Sequence, residues 1–181
     1  MAQVYNTRMA SVSHITASAI IGDLVGPEAN PGLEDRDGAF KDFDVAAIGL
    51  GFHHFEDPER CLRRLVERVK VGTGVVVILD WLPHGEGQED RSQQHHHHDH
   101  ERPQHRDPAE VGETTKDEWE NMKKTVKHHG FSEDTMRTMF DDAGLVDFKF
   151  TVLEEDFVLM PKGRRIVKRG FLARGRRADG I

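Results

Sequence analysis

A strand–helix–strand unit in the middle of the chain constrains the fold more than any other feature of the sequence. The apolar run "FDVAAIGLG" (43–51) has the continuous character of a strand covered on both faces, as in a parallel sheet. Asp57-Pro58 then supplies an N-cap and a first helical residue, and "VVVIL" (75–79) predicts a second fully buried strand. Two such strands joined by one helix predict a right-handed βαβ unit. We therefore expect an α/β fold.

Apolar spacing supports the helix between these two strands. Its apolar residues recur at i, i+3, i+4 and i+7, which places them on one buried face: Leu62, Leu65, Val66 and Val69. The turn "VGTG" is expected to end this helix.

The last third of the chain predicts a further helix and two strands. Ser132 is the expected N-cap of a helix that turns Met136, Met139 and Phe140 inward and ends at Gly144. Segments 145–159 and 164–175 then predict an antiparallel pair, joined through Met160-Pro161-Lys162-Gly163. Because basic and apolar residues alternate in the second segment, we expect an edge strand with a basic outer face.

The two remaining regions carry weaker signals. Residues 3–13 have helical character, and Ile15 to Ile21 predict a short strand that closes on "GDL". Residues 83–108 contain almost no apolar side chain, and six of the 12 histidines lie between His95 and His105. We interpret this segment as a disordered, low-complexity insertion. A short helix around Trp119 and Met122 should follow it.

Composition limits the class of protein. A chain of 181 residues is long enough for one domain with a core, so we expect a single domain over 1–181. The net charge of −7 argues against a nucleic-acid partner, and no stretch reaches the roughly 18 apolar residues that span a membrane. Cys61, the only cysteine, fits a reducing compartment and excludes thiolate zinc sites. A cytoplasmic location is the expectation.

In order and spacing, three stretches resemble the class I S-adenosylmethionine-dependent methyltransferases that act on small molecules. They are "IIGDL", "FDVAAIGLGFHHFEDPERCLRRLVERVKVGTGVVVILDWLP" and "HHGFSEDTMRTMFDDAGLVDFKF". In the family they would be the third strand, the fourth strand with its helix, the fifth strand, and the last helix with the sixth strand. The resemblance implies a Rossmann-like three-layer sandwich with a mostly parallel sheet and a C-terminal antiparallel hairpin.

The same resemblance assigns roles to the residues that end the strands. It implies S-adenosylmethionine as cofactor, with Asp23 and Leu24 beside the adenine. The turn after the first apolar strand would pass along the methionine part, through Gly49, Leu50, Gly51 and Phe52. His53 and His54 would face a small-molecule acceptor at the mouth of the site, as catalytic residues.

One diagnostic part of the family pattern is missing from this sequence. A glycine-rich turn after the first strand and an acidic end of the second strand should hold the cofactor, and nothing before "MAQVYNTRMA" supplies either. The expected domain is therefore N-terminally incomplete, and a partner chain could complete its sheet. The alternative is a non-catalytic methyltransferase-fold remnant, which would be an interaction module or an incomplete gene product.

The paired histidines admit two interpretations. They could simply end the strand and cap neighbouring loops, or one of them could orient the acceptor or take its proton, since histidine titrates near neutral pH. Adjacent residues of a strand point to opposite faces, so a shared metal ion is not expected. Asp80 and Trp81 end the next strand, where Asp80 could contact the acceptor or cap a turn.

Overall fold

A computed structural model describes residues 2–10, 12, 17–20, 22–23, 25–26, 40–83, 124–159 and 166–180. Within these ranges the helices are α1 (Ala2–Met9), α2 (Pro58–Val66) and α3 (Glu133–Asp142), with a 3₁₀ helix at Phe52–His54. The strands are β1 (Val45–Gly49), β2 (Val75–Trp81), β3 (Leu145–Leu159) and β4 (Ile166–Arg177). Apart from the 3₁₀ helix, which was not predicted, the helices and strands described from residue 43 onward follow the predicted order.

The four strands form one open sheet in the order β1-β2-β4-β3. β1 runs parallel to β2, with Val45 opposite Val75, and α2 makes the crossover between them. β4 is antiparallel to both of its neighbours, β2 and β3. The predicted βαβ unit and terminal hairpin are confirmed. The expectation of a mostly parallel sheet is wrong for the described residues, because only one of the three strand pairings is parallel.

The core lies between one face of the sheet and two helices. α2 contacts both β1 and α3, and α3 packs on β3. Alternate residues of β2 are fully buried beneath these helices, Val76 and Ile78 among them, whereas Val75 and Val77 on the other face are half-buried. The prediction that this strand is fully buried on both faces is therefore wrong. The helical layer on the second face is absent from the described ranges.

β1 also differs from the continuous burial that its apolar sequence predicts. Its exposure alternates along the strand, and Val45 keeps 55% of its surface exposed. In the part of the chain that the structure describes, β1 pairs only with β2, so it is the end strand of this sheet. An end strand without a covering layer on one face cannot bury alternate side chains.

The basic C-terminal strand is not the edge strand that its charge pattern predicts. Ala173 of β4 lies opposite Ile78 of β2 on one side and Phe150 of β3 on the other. β4 is therefore an inner strand, and β3 forms the edge. Phe171 and Ala173 are fully buried, which supplies the apolar face that an inner strand needs.

Both predicted amphipathic helices are confirmed with their caps. The Asp57 carboxylate accepts a hydrogen bond from the Arg60 amide at 2.8 Å, and Pro58 begins α2. The Ser132 hydroxyl accepts one from the Thr135 amide at 3.2 Å at the start of α3. Gly144 follows α3 with φ of +79°, the left-handed conformation that ends helices. The predicted apolar faces are buried: Leu62, Leu65 and Val66 for the first, and Met136, Met139 and Phe140 for the second. Val69 is buried as well, but the expectation that it belongs to the helix is wrong, because α2 ends at Val66, before "VGTG".

The N-terminal predictions have mixed outcomes. α1 occupies residues 2–9 and buries none of its side chains. Asn6 joins it to the next segment, since its side chain donates to the Ala19 carbonyl and accepts from the Ala19 amide. The described part of the predicted strand at Ile15–Ile21, residues 17–20, has no strand conformation.

Several predictions fall on residues outside the described ranges. Beyond Pro83, the expected disordered insertion at 83–108 is outside them. The helix predicted around Trp119 and Met122 also lies largely outside, with only residues 124 and 125 described as helical. The predicted connection through residues 160–163 is likewise not described.

Candidate functional site

The carboxyl ends of β1 and β2 meet at one edge of the sheet, and the candidate residues follow from them. After β1 the chain turns at Leu50, whose amide donates to the Leu79 carbonyl of β2 at 2.8 Å. Leu50 has φ of +56°, the left-handed region that costs a branched side chain energy. The turn leads directly into the 3₁₀ helix Phe52–His54.

His53 and Asp80 form a buried pair at this edge. The His53 Nδ1 lies 2.7 Å from one Asp80 carboxylate oxygen, and the His53 amide donates to the other at 3.0 Å. Asp80 is fully buried and His53 is 7% exposed. The first carboxylate oxygen also accepts from the Trp81 amide at 2.7 Å. Two backbone amides thus donate to this carboxylate and the His53 ring nitrogen is its third polar contact, which offsets the cost of burying it.

His54 lies beside His53 on the same side of the turn. Their ring centroids are 4.1 Å apart with an interplanar angle of 38°. The expectation that the two side chains point to opposite faces is wrong, because these residues belong to a 3₁₀ helix and not to a strand. The His54 Nδ1 lies 3.0 Å from the Thr125 carbonyl and 3.1 Å from the Thr125 hydroxyl.

The segment 124–131 crosses this edge and is fixed by backbone hydrogen bonds. The His53 carbonyl accepts from the amides of Lys127 and His128, at 3.0 and 3.1 Å. The Phe131 amide donates to the Trp81 carbonyl at 2.9 Å. Lys127 also pairs with Glu56 at 2.8 Å. The site is therefore bounded on one side by a segment that follows it by about seventy residues in the chain.

Burial lowers the pKa of His53 below its ordinary value of 6.5. The Asp80 carboxylate opposes that change without cancelling it, and electrostatic repulsion from the neighbouring His54 and Lys168 adds to the lowering. His53 is therefore neutral at pH 7, which is the form that can accept a proton.

Acidification should destabilise the protein through His53. Because folding lowers this pKa, the unfolded chain binds the proton more tightly than the folded chain does. The contribution of His53 to stability is complete above pH 6.5 and is lost as the pH falls through the folded-state pKa below it. Urea unfolding across pH 7 to 5 should detect this slope. His53→Gln should flatten it, and an unchanged slope in that variant would contradict the assignment.

Four cofactor-binding residues were predicted at the end of β1 and in the turn after it, and only some of them are accessible. A Cβ atom built on Gly49 would meet no heavy atom within 4 Å, and Leu50 is 37% exposed. A Cβ on Gly51 would come no closer than 3.9 Å to its neighbours. Phe52 differs, because its ring is fully buried and lies 5.2 Å from the ring of Phe131. Phe52 therefore presents no surface to a ligand.

Asp23 lies on a short segment that α2 holds in place. One of its carboxylate oxygens accepts from the amides of Val25 and Gly26, both at 2.9 Å. These backbone hydrogen bonds hold the pKa of Asp23 below its ordinary value. Arg60 of α2 donates to the Gly26 carbonyl at 2.7 Å. Leu24, its predicted companion beside the adenine, lies outside the described residues.

Neither a metal centre nor a reactive thiol is found in the described ranges. No group of three or more histidine, cysteine or acidic residues there is arranged to hold a metal ion. Cys61 is fully buried on α2, and burial raises the pKa of its thiol to about 12. A thiol of that pKa is almost entirely protonated at pH 7, so it is a poor nucleophile.

A cavity of about 540 Å³ lies at the opposite end of the strands, near the residues that precede β1. Two of the arginines that line it already form hydrogen bonds or an ion pair with neighbouring residues. Arg177 donates to the carbonyls of Glu67 and Val69, and Arg64 pairs with the Glu67 carboxylate at 3.1 Å. The cavity lining is Lys41, Asp42, Arg64, Glu67, Arg68, Val71 and Arg177. These contacts join the end of β4 to α2, so we assign the cavity a structural role.

Sequence reasoning did not identify Asp80 as the partner of His53. The signal was present, because a charged residue that directly ends an apolar strand must find a partner once it is buried. What the sequence does not give is the identity of that partner, 27 residues away. Thr125 and Lys168 were missed as neighbours of the histidines for the same reason.

No protein-family model and no curated protein matches this sequence. Solved structures do match its fold. A candidate methyltransferase from Bacillus halodurans is 12% identical and superposes with a TM-score of 0.52, over 97% of this chain and 78% of that one. A protein solved in work on the conversion of a disulfide bond into a thioacetal group during echinomycin biosynthesis is 13% identical. Its TM-score is 0.50, over 97% of this chain and 61% of that one.

A third structure is an S-adenosylmethionine-dependent methyltransferase from Thermotoga maritima, described as a possible histamine N-methyltransferase. It is 19% identical with a TM-score of 0.39, and 77% of this chain covers 59% of it. This chain thus spans about three fifths to four fifths of the lengths of the three structures. The superposition on the Bacillus halodurans structure shows that the chain has a methyltransferase fold, as the sequence resemblance predicted. None of the described helices is long and apolar enough to cross a membrane.

Proposed function

We propose that this protein transfers a methyl group from S-adenosylmethionine to a small-molecule acceptor in the cytoplasm. The open backbone at Gly49 is the observation that carries the proposal. Glycine costs a strand roughly 0.5–1 kcal/mol relative to alanine. At Gly49 neither packing nor a positive φ requires glycine, because a Cβ there would meet nothing within 4 Å. Close approach of a ligand to the backbone is a physical reason for glycine at such a position.

The chain's residues fit one side of such a cofactor. Gly49, Leu50 and Gly51 would lie along its methionine part, and Asp23 with Leu24 beside its adenine. The strained φ of Leu50 supports this placement, since strained residues concentrate at ligand sites. When bound, the cofactor supplies a methyl group that is already activated on a sulfonium.

The remaining tasks fall to residues of the chain itself. Neutral His53 would take the proton that an acceptor loses, and His54 beside it would orient the acceptor. Segment 124–131 would help to exclude water, because it is hydrogen-bonded across this edge of the sheet. Proton removal by a positioned histidine contributes about 10²–10⁴-fold to a rate.

Calorimetric titration with S-adenosylhomocysteine tests the proposal, and Gly49→Ala sharpens it. We expect the wild-type protein to bind and Gly49→Ala to bind at least about tenfold more weakly, since a methyl group would occupy the approach to the backbone. The variant should be more stable than the wild type by roughly 0.5–1 kcal/mol, because the added Cβ meets open space and alanine loses less conformational freedom on folding.

Val45→Ala is the matched control for this experiment. Val45 is 55% exposed at the other end of the same strand, so this variant should bind as the wild type does. No measurable heat from the wild type at millimolar ligand would contradict the proposal.

A non-catalytic interaction module is the second candidate, and the outer edge of β1 favours it. The strand "VAAIG" has no charged residue, proline or bulge that would protect an edge from pairing. Phe43 and Val45 beside that edge are 40% and 55% exposed. A strand from a partner chain could complete the sheet there.

Sedimentation velocity distinguishes this second candidate. A protein that does not bind S-adenosylhomocysteine but associates through β1 should dissociate when Val45→Lys introduces a charge. Binding of the ligand by a monomer would instead favour the methyltransferase.

A further inference from the structure

We propose that Asp80 is a positioning residue that fixes His53 as the tautomer with the proton on Nδ1, so that Nε2 is the proton acceptor of the site. The inference rests on the proposed function in one respect: the methyl transfer is the reaction in which Nε2 would accept a proton. It concerns a contact that the sequence did not predict and a nitrogen that no feature of the sequence distinguishes.

The tautomer follows from the donors around the Asp80 carboxylate. The amides of His53 and Trp81 can only donate, and they reach the two oxygens at 3.0 and 2.7 Å. The oxygen that accepts from Trp81 also lies 2.7 Å from the His53 Nδ1. An ionised carboxylate can only accept hydrogen bonds, so a ring nitrogen at this distance must be the donor, and the proton lies on Nδ1. In the neutral imidazole the other nitrogen, Nε2, then carries a lone pair.

Burial makes this assignment strong. Asp80 is fully buried and the side chain of His53 is 9% exposed, so water competes little for the contact. The carboxylate also binds the backbone of the residue whose ring it orients, which fixes the ring and the 3₁₀ helix together. A contact that served only to cap the turn would need the amide hydrogen bond but not the one to Nδ1.

Charged and titratable groups face His53 from three elements. Asp80 faces it from β2 and holds the proton on Nδ1, His54 lies beside it in the 3₁₀ helix, and Lys168 acts on it from β4. Burial, with the charge of Lys168, disfavours an imidazolium at His53, whereas the carboxylate favours one. The balance keeps His53 neutral at pH 7 while its tautomer is fixed by the carboxylate alone.

Nitrogen-15 NMR of the histidine rings in the cofactor-free full-length protein tests the proposal. At pH 7.5 the wild-type His53 should give the chemical-shift pattern of a protonated Nδ1 and an unprotonated Nε2. Asp80→Ala removes the acceptor from Nδ1, so the preference for a protonated Nδ1 should be lost and the pattern should move toward a protonated Nε2. The titration midpoint of His53 should also move to lower pH, because the carboxylate that raises its pKa is lost.

His54 is the internal control in the same spectra. Its Nδ1 faces the carbonyl of Thr125, which can only accept, so its tautomer should be the same in both proteins. A merely structural role for Asp80 would leave the tautomer of His53 unchanged.

The outcomes separate this inference from the proposed function. A wild-type His53 with its proton on Nε2 would overturn the inference, even if Asp80→Ala did not fold. The predicted tautomers in a protein that does not bind S-adenosylhomocysteine would support the role of Asp80 and overturn the methyltransferase.

Discussion

Gly130→Ala is expected to destabilise the protein by roughly 3 kcal/mol or more, the largest effect of any glycine substitution near the site. Gly130 has φ of +122°, a conformation that side chains with a Cβ rarely adopt. An added Cβ would lie 2.5 Å from the Leu82 carbonyl oxygen and 2.7 Å from that of Trp81. Both obstacles are backbone atoms, so neither can rotate away as a side chain would.

Relief of this clash would require the backbone after β2 to move. That backbone holds two hydrogen bonds of 2.9 Å, from Phe131 to the Trp81 carbonyl and from Leu82 to the Arg169 carbonyl. Their loss would release segment 124–131 from the site. Weakened binding of S-adenosylhomocysteine should therefore accompany the loss of stability in this variant.

Two other glycines provide graded controls for this experiment in urea unfolding. Gly144 also has a positive φ, of +79°, but a Cβ there would meet nothing within 4 Å. Gly144→Ala should therefore cost only the left-handed penalty of about 1–2 kcal/mol. Gly49→Ala carries neither penalty and should be slightly stabilising, by roughly 0.5–1 kcal/mol. A Gly130→Ala variant no less stable than Gly144→Ala would show that the backbone after β2 yields easily.

Local signals in the sequence predicted the helices of this protein well. Asp57 and Ser132 were expected as N-caps and both accept the capping hydrogen bond. The apolar spacing predicted the buried face of α2 correctly as far as Val66, because a helix face is determined by residues three and four positions apart. Such features depend on neighbours in the chain, and no other part of the molecule needs to be known.

Sheet position could not be read in the same way. β4 was expected at the edge because its basic residues alternate with apolar ones, yet it lies between β2 and β3. The strand pairs that place it join Ile78 to Ala173, which are almost a hundred positions apart. Alternation in a strand reports the faces of a sheet and carries no information about its order.

The site was predicted in its location and only partly in its chemistry. The glycines and histidines after β1 lie at the carboxyl edge of a parallel strand pair, where α/β folds bind ligands. The geometry of the histidines was wrong because "GFHH" forms a turn of 3₁₀ helix instead of extending the strand. That one change brings both rings to the same side and lets Asp80 reach one of them.

Phe52→Ala should cost about 3–5 kcal/mol of unfolding free energy, a large part of the 5–15 kcal/mol that stabilises an ordinary domain. The ring of Phe52 is fully buried, 5.2 Å from that of Phe131 and 6.3 Å from that of Phe55. It therefore joins the 3₁₀ helix to the start of the segment that leads into α3. Its removal would leave a cavity between two parts of the site.

Two variants separate the packing of Phe52 from the ligand role that the family resemblance gave it. Phe52→Leu retains most of the apolar volume and should cost much less than Phe52→Ala in urea unfolding, about 1.5 kcal/mol. Leu50→Ala, at an exposed position of the same turn, should change stability by less than about 0.5 kcal/mol. If Phe52→Ala instead unfolded like the wild type and lost only its affinity for S-adenosylhomocysteine, the ring would face the ligand. Since a fully buried ring presents almost no surface to a ligand, we expect stability to fall first and binding to fall as its consequence.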